Sequence, residues 1–96
     1  SGYSLVYIGQ ANKNANGLLV GFSVGKKTQA LAVDRNKTKR LMREAFRVCV
    51  KDFLVINEAH YNIMFVCVEK SPPDFSELLD KIKSLLLSFS ESVKNG

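Results

Sequence analysis

Apolar and polar positions alternate over residues 3–10, where Tyr3, Leu5, Val6, Tyr7 and Ile8 predict a β-strand. The run ANKNANG that follows supplies an Asn/Gly turn, so a hairpin to a second strand over residues 18–24 is expected. In that second strand Leu18, Val20, Phe22 and Val24 fall on one face, and Leu19, Gly21 and Ser23 on the other. GKKTQ ends it. From about residue 31 or 34 to about 52 the chain contains no Gly or Pro and is rich in Lys, Arg, Leu, Met, Glu and Ala, which predicts a helix. YNIMFVCV, at 61–68, is apolar without alternation, as expected of a central strand covered on both faces. SPPD then breaks the chain, and Asp74 with Glu77 forms a capping-box pattern that opens a last helix. Along it Phe75, Leu78, Leu79, Ile82, Leu85, Leu86, Phe89 and Val93 recur at helical spacing, an apolar stripe that must pack on the sheet. The order β, β, α, β, α places the chain in the α+β class.

Composition narrows the picture. A chain of 96 residues, 46% hydrophobic and 24% charged, is one domain, 1–96, with enough core to fold without metal or disulfide staples. Cys49 and Cys67 lie inside apolar stretches, which fits reduced, buried thiols and a cytoplasmic location. No apolar run approaches the ~18 residues of a membrane span. His60 is the single histidine and sits at a strand start. With no Cys/His pair, Gly-rich phosphate loop or paired carboxylates in view, a self-contained nuclease site is not expected.

The net charge of +5 is a modest bias toward an anionic partner, but its distribution is uneven. Residues 26–51 hold nine basic side chains (Lys26, Lys27, Arg35, Lys37, Lys39, Arg40, Arg43, Arg47, Lys51) and two acidic ones (Asp34, Glu44), a local charge of +7. The remainder, with five basic and seven acidic residues, carries −2. Projected at about 100° per residue, the predicted helix has Leu41, Met42, Ala45, Phe46, Cys49 and Phe53 on an apolar arc. Asn36, Arg40, Arg43 and Arg47 follow one another at spacings of 4, 3 and 4 in a single row, with Lys39 and Lys51 flanking. Such a row suits a phosphate backbone. The arginine fork grips two phosphate oxygens at once, and an asparagine both donates and accepts. The plainer alternative is a solvated helix face on which Glu44 pairs with Arg40 and Arg47.

GFSVGKK followed by RNKTKRLMREAFR closely resembles the signature of the bacterial ribonuclease P protein subunit family, a strand ending Gly-x-Ser-Val-x-Lys-Lys and then a helix reading Arg-Asn-Arg-x-x-Lys-Arg-x-x-Arg-x-x-Phe. The similarity continues through YNIMFVCV and the final helix, covering about 5–89. The resemblance implies a two-layer α+β sandwich of the ribosomal protein S5 domain 2-like type, with the basic helix in a left-handed βαβ crossover. It also implies an accessory to a catalytic RNA that removes 5′ leaders from precursor tRNA. The RNA subunit would hold the required Mg²⁺, and the protein would carry no catalytic residue, metal or cofactor. Expected partners are that RNA and the precursor tRNA 5′ leader, with no membrane and no DNA.

By motif matching, Lys26, Lys27, Arg35, Asn36, Lys37, Lys39, Arg40 and Arg43 are the expected RNA contacts, and Arg47 extends their row. Tyr7 matches the strand tyrosine of the family's leader cleft, and Phe22 is a candidate for the same face, as is Phe65. A tyrosine capping the core is the alternative for Tyr7. The chain departs from the family in three ways. Against the family pattern, the basic N-terminal helix and short first strand are not found ahead of Tyr3, as expected of a truncated chain, a processed one or a divergent member, and Ser1-Gly2 reads as a tag remnant. TQALAVD lacks the family's Gly-Asn and is one residue longer, and Lys37 replaces the third member of the Arg-Asn-Arg triplet. A ribosomal-protein-like structural RNA-binding module is the runner-up function. A helix reading the DNA major groove ranks low, because the sequence upstream is strand-like.

Overall fold

The computed structural model of the chain describes residues 5–25, 28–53 and 60–95. Among these residues three strands, β1 (Val6–Lys13), β2 (Leu19–Val24) and β3 (Tyr61–Cys67), and two helices, α1 (Ala32–Val50) and α2 (Phe75–Asn95), follow in the order β1, β2, α1, β3, α2. This is the α+β order read from the sequence. The first strand runs later than its alternation suggests, taking in Ala11, Asn12 and Lys13 after a register shift between Ile8 and Gln10.

The expected hairpin between β1 and β2 does not form, because β3 lies between them, antiparallel to β1 and parallel to β2. The reason lies in β3 itself. An unbroken apolar strand pairs its backbone and covers its side chains only with a neighbour on each side, and that demand outweighs local pairing across the turn. The Asn/Gly segment still turns: Asn16 N–H donates to Asn14 Oδ1 at 3.0 Å, and Gly17 takes a φ of +102° that side chains disfavour. Asn14 N–H donates to the His60 carbonyl at 2.7 Å, so the loop is tied to the start of β3.

The register places Val6, Ile8, Val20, Phe22 and Val24 on the same face as Ile63, Phe65 and Cys67. Both helices cover that face. α1 buries Thr38, Met42, Ala45 and Cys49, and α2 buries Leu78, Ile82 and Leu86. Leu41, Phe46 and Phe53, expected on the apolar arc, are half-buried against this core. Aromatic contacts join the layers, Phe46 to Phe65 with ring centroids 5.7 Å apart and Phe89 to Tyr61 at 5.2 Å. Cys49 and Cys67 are buried free thiols, and burial pushes both above their ordinary pKa.

Tyr7, Leu19, Gly21, Ser23, Asn62, Met64 and Val66 occupy the other face, which no described helix covers. The expectation that both faces of β3 are covered therefore holds for one only. Among the described residues, β3 is sheltered on the open side by its neighbouring strands alone. A Cβ at Gly21 would come within 2.8 Å of Met64 Cε, and one at Gly9 within 2.8 Å of Val66 Cγ2. The outward side chains of β3 thus lie down over glycines that leave room for them.

Candidate nucleic-acid interface

The inward stripe of α1, at 38, 42, 45 and 49, fixes where its cations point. Asn36, Arg40, Arg43 and Arg47 each precede one of these positions by two residues, about 200° around the helix. All four are exposed, as is Lys37, while Lys39 is half-buried. The predicted row therefore exists as one outward face. Near its middle, Arg43 leans toward the sheet edge and sets its guanidinium carbon 5.9 Å from the centre of the Phe22 ring.

Arg35 behaves differently. It lies seven residues before Met42, on the edge of the inward stripe, and is half-buried. Its Nη1 donates to the carbonyls of Gln29 and Ala30, each at 2.9 Å. The buried Gln29 side chain donates from Nε2 to the Glu69 carbonyl at 3.0 Å and accepts from Thr38 Oγ1 at 2.9 Å. Neither Gln29 nor Thr38 was singled out from the sequence. The available signal was Thr38 at the inward phase of the helix, four residues before Met42, where an apolar residue would otherwise be expected.

Tyr7 stands on the open face, 42% exposed, with Cε2 3.6 Å from where a Gly9 side chain would begin. Its edge thus rests over bare backbone beside Val66. Phe22, proposed above for the same cleft, is instead on the helix-covered face, stacked on Phe65 with centroids 5.8 Å apart and packed edge-on to Phe46 at 6.1 Å. Strand parity separates the two. Tyr7 pairs with Val66, whereas Phe22 pairs with Phe65, the adjacent residue that points the opposite way. Phe65 shares Phe22's face, and that face is closed. Lys26 and Lys27 lie outside the described residues. His60 is exposed just ahead of β3. Among the described residues no group of three or more His, Cys, Asp or Glu side chains could hold a metal ion, and no helix is long and apolar enough to cross a membrane.

The family model for ribonuclease P matches residues 1–90. Among curated proteins, the ribonuclease P protein component of Aliivibrio fischeri is 41% identical over 68 residues, covering 66% of this chain and 53% of that protein. The component from Porphyromonas gingivalis is 34% identical over 77 residues, covering 77% and 56%. The chain thus spans about half the length of the curated relatives it matches. A solved structure of Staphylococcus aureus RNase P protein superposes with a TM-score of 0.63 at 24% identity, covering 88% of this chain and 72% of that one, a likeness of fold.

Proposed function

The chain belongs to the ribonuclease P protein family, and from that premise we propose that it acts as the protein subunit of ribonuclease P in the cytoplasm, an accessory to an endoribonuclease whose chemistry resides in RNA. The observation that carries this reading is the outward row of α1. Asn36, Arg40, Arg43 and Arg47, with Lys37 and Lys39 beside them, present donors and positive charge at the spacing of one helix face, which suits the phosphates of a structured RNA. Lys26 and Lys27, just before this helix in sequence, are assigned to the same partner on the family motif.

The open face of the sheet is assigned to the single-stranded 5′ leader of precursor tRNA. Tyr7 offers a ring over bare glycine backbone, with the apolar surface of Met64 and Val66 beside it, which is what a stacked base requires. No residue of this chain is given a catalytic role, and Mg²⁺ is assigned to the RNA subunit. We read the β2–α1–β3 connection as the left-handed crossover of the S5 domain 2-like sandwich. Its support is that β2 and β3 are adjacent parallel strands joined through α1.

Reconstitution with the cognate RNA subunit tests the function. At low Mg²⁺ the chain should accelerate cleavage of precursor tRNA over the RNA alone. Tight binding with no acceleration would instead assign the chain as a structural RNA-binding module.

A further inference from the structure

The polar residues at the start of α1 divide the cationic set into two jobs. We infer that Gln29, Thr38 and Arg35 form a lock holding the first turns of α1 against the end of β3, so that Arg35 positions the RNA-facing row instead of joining it. The assignment rests on reading α1 as the RNA-contacting helix.

Burial is the first argument. Gln29 is 1% exposed and Thr38 is fully buried, and polar side chains in such places are costly unless paired. Both are paired, and with each other. The Gln29 amide spends its acceptor on the Thr38 hydroxyl and a donor on the Glu69 carbonyl. One side chain thereby ties together the loop before α1, the second turn of α1 and the chain just beyond β3. Arg35 closes the same loop from the helix side through the carbonyls of Gln29 and Ala30.

The helix end supplies the second argument. The N-cap residue, Leu31, makes no side-chain hydrogen bond to the first-turn amides, so the usual anchor of a helix start is missing. The lock takes its place. Phase supplies the third. Arg35, Met42 and Cys49 recur every seven residues on the side of α1 that faces the core, whereas the outward row is rotated from it by more than a quarter turn. Both Nη1 hydrogens of Arg35 are spent on these two carbonyls, which ties the guanidinium to the loop and leaves only its Nε and Nη2 edge unpaired. The outward row depends on the lock because its direction follows from the orientation of the helix that bears it.

The test uses the 96-residue chain and the cognate ribonuclease P RNA transcribed in vitro, with RNA affinity followed against salt and backbone amide exchange followed without RNA. Thr38→Val should lose about 2- to 10-fold in affinity per folded molecule with an unchanged salt slope, and should expose the first two turns of α1 to exchange. Thr38→Ser should restore both. Arg35→Gln should behave like Thr38→Val, and being half-buried it keeps the test readable should Thr38→Val not fold. Arg40→Gln should flatten the log-affinity against log-salt slope by up to about one unit, with exchange as in the parent. The lock is overturned if Arg35→Gln flattens the slope as Arg40→Gln does, or if Thr38→Val keeps parental affinity and protection. If Arg40→Gln leaves the slope untouched as well, the RNA does not sit on α1, and the functional reading falls together with this assignment.

Discussion

The two faces of the sheet are built from the same strands, yet they meet opposite fates. On one, Ile63 and Phe65 are fully buried under α1 and α2, with Phe22 half-buried beside them. On the other, Tyr7 and Leu19 stand 42% and 52% exposed, and Met64 and Val66 find shelter only over glycines. The difference lies in what the helices can reach. Among the described residues two helices fill one side of three strands, and apolar surface is left uncovered on the other side. Buried packing is therefore concentrated on one face, and the leader site proposed above lies on the other, so substitutions on the two faces should have separable effects.

The largest effect should come from the closed face. Phe65→Ala removes a fully buried ring that packs on both Phe22 and Phe46, and should cost about 3–5 kcal/mol in a denaturant titration. Phe46→Ala should cost less, about 2–3 kcal/mol, since Phe46 is only half-buried. A loss under about 1 kcal/mol for Phe65→Ala would mean that the sealed side does not carry the fold.

These residues also show what the sequence could reveal. The grouping of Leu18, Val20, Phe22 and Val24 on one face of β2, and the phase of α1 with Met42, Ala45 and Cys49 inward, follow from local periodicity, but which face of β2 turns inward does not. Strand neighbours do not. Placing β3 between β1 and β2 is a long-range choice set by the needs of the central strand, and the short Asn/Gly turn pointed the other way. The same gap put Tyr7 and Phe22 in one cleft, because face membership across strands depends on register. The outward row of α1 was legible for the opposite reason, as it lies within one helix. Gln29 was not, since its partners Thr38 and Glu69 are 9 and 40 residues away.

On the open face the expected effect is smaller and selective. Tyr7→Ala should cost under about 1 kcal/mol of folding stability, because its ring is already substantially in water. It should weaken binding of precursor tRNA by the assembled ribonucleoprotein by about 1–3 kcal/mol, leaving mature tRNA and the RNA subunit bound as before. Equal losses for all three ligands, or a large loss of stability, would place Tyr7 in the core instead.

The smallest effect belongs to the residue at the boundary. Phe22 packs into the closed face through Phe46 and Phe65, while its ring also lies under the Arg43 guanidinium. Phe22→Leu keeps an apolar side chain of similar reach and removes only the aromatic face that Arg43 meets. RNA-subunit affinity should fall by about 0.5–1 kcal/mol, the worth of a cation–π contact near solvent. In a cycle with Arg43→Ala that loss should disappear, since the ring then has no cation to hold. Leader-dependent affinity should not change, because parity turns Phe22 away from the face that bears Tyr7. That last measurement is the sharpest check on the division between the two faces. A leader-specific loss in Phe22→Leu matching that of Tyr7→Ala would put both aromatics in one site and erase the distinction. An unchanged leader term beside a weakened RNA-subunit term would leave Phe22 as the point where the sealed core steadies the cationic row.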